Sequence, residues 1–219
     1  MRRATHIILV TVALVLLSGQ QTLSARDDYD IYDLSLDENL MLPEIKNDKQ
    51  ADRVQDFQYE MAVAFKKSNY DVEVMRDDEV IVITIPASQL FDANDTVLNQ
   101  VGQERLKPFL RMLKNPGFYK MLLVMHSDNT GSEFYTLNLT RQRVNAIFDW
   151  FDENGSVDYV VPYALGDTDP VVENNKVLDN NSVENRKRNR RLEIYLVPEK
   201  TMLQQAKKGT INMSHISKN

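Results

Sequence analysis

Two charged residues most need a chemical reason for their place in this chain. Asp128 lies in Met125–Gly131, MHSDNTG, where the apolar run Leu122–Met125 gives way to a polar loop closed by Gly131. Arg143 follows fifteen residues later, in a stretch with helical spacing whose apolar stripe is Val144, Ile147, Phe148 and Phe151. Four residues before Ile147, Arg143 sits on the edge of that stripe. It also lies toward the helix start, where the peptide dipole disfavours a cation. A guanidinium there is costly unless a partner meets it. Two arrangements answer the need. Asp128 and Arg143 can simply pair. Alternatively both face a zwitterion, Asp128 taking an ammonium and Arg143 a carboxylate through paired donors. Arg141 points to the opposite side and reads as solvated.

His126 raises the question of metal or nucleophilic chemistry. A metal site needs three or four ligands, yet the other histidines are His6 and His215, near the two ends, and there is no cysteine. No HExxH spacing is present. The consecutive residues His126, Ser127 and Asp128 cannot form a catalytic relay, and neither GxSxG nor SxxK occurs. His126 therefore reads as a structural, hydrogen-bonded side chain at a strand end. No metal, cofactor or catalytic residue is expected, and the chain does not read as an enzyme. Asn185–Ile194, NRKRNRRLEI, holds five arginines and lysines without an aromatic platform for nucleic acid. It reads as a solvated helix face, with Arg190 and Arg191 opening a strand. At least one of these two can reach the rim that carries Asp128 and Arg143.

The elements that must position these groups follow from periodicity. Gln50–Lys67 is helical, with Val54, Phe57, Met61, Ala64 and Phe65 on one stripe. Two strand-like runs follow, turning at Asp77-Asp78. The second, Val80–Ile85, is apolar on both faces except for Thr84, which predicts burial on both sides. A helix through Leu106, Phe109, Leu110 and Leu113 stops at Asn115-Pro116-Gly117. Then come a buried strand ending at the MHSDNTG loop, a helix over about 133–153, a strand in Val157–Leu165, a short basic helix and a last strand over Arg191–Pro198. In that last strand Leu192, Ile194 and Leu196 share one face, with Glu193 and Tyr195 on the other. Such alternation predicts an α/β fold, with helices packed against a mixed sheet.

The chain has 219 residues, 42% of them apolar, and a net charge of −6. That suits one compact domain with appendages and gives no polyanion-binding signature. Residues 1–25 combine a basic start, the largely apolar stretch Ile7–Leu17 and small residues up to Ala25. This is the layout of a secretory signal peptide. An uncleaved anchor is the alternative, although a spanning helix needs roughly 20 apolar residues. With no cysteine, the chain cannot be a lipoprotein anchored through one. Residues 26–49 are acidic and read as a solvated linker or arm. Tyr29, Ile31, Tyr32, Leu34 and Leu36 are its spare apolar anchors for a partner. Residues 50–79 read as a helix-and-strand extension, 80–198 as the main domain and 199–219 as a polar tail with weak helical character near Met202–Lys208.

The motifs together resemble the OmpA-like peptidoglycan-binding domain, in a periplasmic form without a β-barrel. The resemblance rests on MHSDNTG, LTRQRV (Leu139–Val144), GDTDPVVEN (Gly166–Asn174) and RKRNRRL (Arg186–Leu192). The opening segment Leu90–Leu110 fits too. The resemblance covers about Val80 to Pro198, in order. It implies a β-α-β-α-β-α-β sandwich that binds peptidoglycan noncovalently, gripping the diaminopimelate of the stem peptide. Carried over by position, the ligand-binding residues are Asp128, Arg143 and Arg190, with Ser127, Asn129 and Thr136 lining the site. Met125 stands where the family has Gly, Ser127 where it has Thr, and Thr136 where it often has a ligand-contacting Asn. Ala164 and Asn185 replace two further glycines. The implied place is the periplasm of a Gram-negative envelope, at the wall and outer membrane. An alternative reading is an assembly component that docks a porin, motor or secretion complex to the wall through its N-terminal arm. A wall hydrolase is the least favoured reading, and a homodimer is left open.

Overall fold

The computed structural model describes residues 31–42, 45, 47–77, 79–173 and 176–211. The expected signal peptide, and the end of the tail with His215, lie outside these residues. A 3₁₀ turn at Ile31–Asp33 and α1 (Leu36–Asn39) come first. α2 (Asp48–Lys67) starts at Asn47, whose side chain accepts the Gln50 amide, and buries Val54, Phe57, Met61 and Phe65. β1 (Asp71–Met75) and β2 (Val80–Pro86) form an antiparallel hairpin. Arg76 and Asp77 in its turn both take the left-handed conformation.

The next helix is segmented. α3 (Gln100–Leu106), a 3₁₀ turn at Lys107–Phe109 and α4 (Leu110–Leu113) follow one another around Pro108, which lacks the N–H that a continuous helix needs. Leu106, Phe109 and Leu113 are buried, but Leu110 is only half-buried. β3 (Tyr119–His126), α5 (Glu133–Asp152) and β4 (Val160–Gly166) form a parallel crossover unit. A small hairpin of β5 (Val172–Glu173) and β6 (Lys176–Val177) leads to α6 (Val183–Asn189), β7 (Arg191–Pro198) and α7 (Lys200–Lys208).

The main sheet runs β1-β2-β7-β3-β4 and is antiparallel except for β3–β4. Register places Ile83, Ile194 and Leu123 side by side on one face, and Thr84, Glu193 and Val124 on the other. The first face is covered by α2, the α3–α4 segment, α5 and α7 in one core that includes Phe57, Phe109, Ile147 and Met202. This is the expected α/β arrangement of helices packed on a mixed sheet, with the extra N-terminal helix.

Three local expectations change. β2 is fully buried on one face only; Val82 and Thr84 on the other are half-buried. The segment read as a weakly helical part of the tail is a full helix with Met202, Leu203 and Ala206 buried. Its main chain accepts hydrogen bonds from Gln50 (2.9 Å to Leu203 O) and Arg53 (2.8 Å to Ala206 O).

Residues 31–42 were expected as a solvated arm. They lie instead across the second sheet face, where Leu40 packs with Leu122, Val124, Val161 and Val197, and Ile31, Leu36 and Leu42 join them. Asn39 is fully buried and donates to Ile31 O and to the Tyr163 hydroxyl. Tyr163 donates to Leu34 O. Of the apolar anchors noted in this stretch, Ile31 and Leu36 meet the chain's own sheet, because that face would otherwise leave apolar strand residues in water, whereas Tyr32 stays exposed beside Phe148.

Candidate functional site

The groups singled out in the sequence gather at one end of the sheet, where β3 ends beside the start of β7. A bulge at the β3–β4 edge shifts the register between Met125 and His126. Just beyond it, the Ser127 amide donates to Gly166 O at 2.6 Å. The loop then turns around Asp128, whose Oδ1 accepts the Thr130 amide at 2.8 Å. Ser132 caps α5 by accepting the Tyr135 amide. Gly131 has φ +114, and a Cβ there would come within 2.7 Å of the Tyr135 ring, so the turn depends on glycine. α5 is fastened to the end of β4 by two threonines. Thr136 donates to Asp167 at 2.8 Å, and Thr140 accepts the Gly166 amide at 3.1 Å.

Asp128 is 2% exposed and forms an ion pair with Arg190, not with Arg143. Of the two arrangements left open by the sequence, the direct Asp128–Arg143 pair is not formed, because β7 lies next to β3 and Arg190, just before it, meets the loop. Burial alone would raise the Asp128 carboxyl. Hydrogen bonds from the Thr130 hydroxyl and amide, together with the Arg190 guanidinium, outweigh burial and hold it below the usual carboxylate range. The Arg190 side chain remains 37% exposed and so reaches solvent.

Arg143 is 5% exposed. Its Nε donates to Asp95 O at 2.8 Å and its Nη2 to Asp92 O at 3.3 Å, and the guanidinium carbon lies 5.0 Å from the centre of the Phe91 ring. Among the described residues no carboxylate comes within 4.0 Å of it. Burial draws its pKa down; the nearby Tyr135 and Asp95 oppose this, while Arg190 adds to it. A buried cation is thus solvated by neutral carbonyls and a ring, and among the described residues no carboxylate pairs with it directly.

The remaining candidates divide. Asn129 is exposed on the loop, and Ser127 is buried at its start. Thr136 is fully buried, with its hydroxyl directed to Asp167. Arg191 leaves this rim for the second sheet face, where its Nε donates to Glu193 at 2.7 Å. There His126, 1% exposed, lies with Nε2 3.4 Å from Glu193 Oε2 and Nδ1 3.9 Å from Asp169 Oδ2. Among the described residues neither ring nitrogen has a hydrogen-bond partner of good geometry, and Glu193 is the nearest carboxylate to this structural histidine. Burial works to raise the Glu193 carboxyl, but His126, Arg191 and Tyr195 together hold it well below the usual range.

Sequence reasoning did not single out Thr130, Asp167, or the segment from Phe91 to Asp95 that receives Arg143. The one available signal was the turn-forming run Asp92–Asp95, DAND. Among the described residues no cluster of three His, Cys, Asp or Glu could hold a metal ion, and no helix is long and apolar enough to cross a membrane. What meets at this rim is the Asp128 carboxylate with the guanidiniums of Arg143 and Arg190, a set that recognises charge.

No protein-family profile matches the chain. Curated relatives include the Probable lipoprotein YiaD of Escherichia coli strain K12. It is 24% identical over 128 residues, which are 58% of this chain and 56% of that protein. Another is the photosystem I P700 chlorophyll a apoprotein A2 of Gloeobacter violaceus, 22% identical over 54% of this chain and 14% of that protein. The chain therefore spans about half or less of the curated relatives it matches. Among solved structures, a MotB-like protein from Desulfovibrio vulgaris superposes with a TM-score of 0.56 at 18% identity, covering 69% of this chain and 96% of that one. The cell wall anchor of the type VI secretion system (T6SS) from Pseudomonas aeruginosa superposes with a TM-score of 0.51 at 26% identity, covering 65% and 97%. With its mixed five-stranded sheet and these likenesses, the described part of the chain has an OmpA-like fold.

Proposed function

We propose that this protein binds peptidoglycan noncovalently in the bacterial envelope and grips the diaminopimelate of the stem peptide at the Asp128–Arg143–Arg190 rim. The observation that carries this reading is Arg143, a buried guanidinium with no carboxylate within ion-pair distance among the described residues. Such a group favours an incoming anion. The free amino-acid end of diaminopimelate brings a carboxylate for Arg143 and an ammonium for Asp128. Arg190 already occupies Asp128, so the ammonium shares or displaces that guanidinium, which is exposed enough to move aside. Asn129 and Ser127 flank the entry, and Thr136 acts from beneath by holding Asp167. The mature protein is placed in the periplasm by the signal-like residues 1–25. The likeness to a cell wall anchor supports the same reading.

Purified sacculi are expected to retain the wild type and to lose Asp128→Ala and Arg143→Ala, each weakened by roughly 2–5 kcal/mol. Equal retention of all three overturns the proposal. A titration refines it. Diaminopimelate differs from lysine by one carboxylate, so wild type should prefer diaminopimelate-containing peptides, whereas Arg143→Ala should bind both equally weakly. Docking of an envelope partner through residues 31–42 is disfavoured by their packing on the chain's own sheet. Such docking would first have to peel them away.

A further inference from the structure

We propose that the loop Asp92–Val97 is the positioning device for Arg143, and that Asn94 and Asp95 are the residues that shape it. The inference rests on the reading above, in which Arg143 takes a carboxylate. Arg143 directs its Nε at Asp95 O (2.8 Å) and its Nη2 at Asp92 O (3.3 Å), with Phe91 beside the guanidinium. A guanidinium has five N–H donors in a rigid fork. Fixing two of them on one edge determines where the other three point, and among the described residues no acceptor is bonded to Nη1, whose donors face the anion in this reading. The acceptors are main-chain carbonyls and carry no formal charge. They orient the cation without neutralising it, whereas a carboxylate in their place would do both and would compete with the ligand.

Two carbonyls three residues apart converge on one side chain only if the chain between them turns sharply. The Asp95 amide closes that turn on Asp92 O at 3.1 Å. Asn94 adopts φ +57, a left-handed conformation that asparagine and glycine tolerate and β-branched residues resist. Asp95 Oδ1 then accepts the amides of Thr96 (2.6 Å) and Val97 (3.0 Å), holding the exit of the turn. Both side chains are exposed, so they can be exchanged with little consequence for the core.

The test uses the full chain and four variants, in two pairs. Asn94→Val opposes the left-handed backbone, and Asn94→Gly permits it. Asp95→Ala removes the acceptor, and Asp95→Asn keeps an acceptor without the charge. Two readouts are followed: hydrogen exchange of the Arg143 Nε–H by ¹⁵N-edited NMR, assigned by its loss in Arg143→Lys, and titration with a tripeptide containing meso-diaminopimelate. Wild type, Asn94→Gly and Asp95→Asn should show a protected Nε–H and similar affinity. Asn94→Val and Asp95→Ala should lose that protection and bind roughly tenfold more weakly, the equivalent of one misdirected charged hydrogen bond. Wild-type protection and affinity in both disruptive variants overturn the proposal. So does Asp95→Asn binding as weakly as Asp95→Ala with its Nε–H intact, because the carboxylate charge would then be the active feature. If wild type fails to bind the tripeptide while protection follows the loop variants, the wall-binding reading falls and the positioning of Arg143 by the loop stands.

Discussion

At Arg143, burial, hydrogen bonding and charge pull in different directions. Its spacing alone required an anionic partner, and the structure supplies oriented carbonyls instead. A few residues away, the second sheet face resolves the same conflict differently. Arg191 and Glu193 pair at 2.7 Å, with His126 and Tyr195 adding to the carboxylate's surroundings. Because this pair is internally satisfied, it should serve stability. Glu193→Ala, which leaves Arg191 buried beside His126, is expected to destabilise the fold by roughly 3 kcal/mol in urea denaturation. The refolded variant should keep its sacculus binding, since neither side chain reaches the Asp128 rim. Arg190, the extended residue just before β7, and Arg191, its first residue, thus face different ways, one the Asp128 rim and one the second face, as the alternation of side chains along extended chain requires.

Among the elements, residues 31–42 depart furthest from expectation. Their acidic composition and lack of period suggested a tether, but Leu40 and its apolar neighbours cover strand residues on a face that, among the described residues, no long helix covers. A chain beginning at residue 43 should therefore expose Leu122, Val124, Val161 and Val197. We expect it to bind a hydrophobic dye and to self-associate in sedimentation, while a chain beginning at residue 26 does neither. If the shorter chain stays monomeric and does not bind the dye, the segment is not a structural cover. α5 shows the opposite situation. Its stripe Val144, Ile147 and Phe151 was legible because a long amphipathic helix repeats its signal several times. A twelve-residue strap made of two short turns has no period to read.

For the whole molecule, acid should act through the depressed carboxylates. Asp128 and Glu193 both have folded pKa values below their ordinary ones. Their contribution to stability is therefore complete above the unfolded range near pH ~4, and is lost as pH falls through the folded values. Thermal midpoints should be flat toward neutral pH and drop below about pH 4, and Glu193→Gln should drop less steeply. Sacculus binding should weaken in the same acid window, as protonation of Asp128 removes the partner of the ligand's ammonium. The order of the main strands and helices, the inward faces of α5 and β7, most of that of α2, where Ala62 is buried in place of Ala64, and the spacing of Asp128 and Arg143 were determined by the sequence, because they depend on local periodicity and turn chemistry. Which charge meets which was decided only by the tertiary structure. Asp128 pairs with Arg190, 62 positions away, and Arg143 bonds to carbonyls 48 and 51 positions back. Those contacts arise because β7 inserts between β2 and β3 and draws three distant loops to one end of the sheet. A linear pattern of residue types does not encode that insertion.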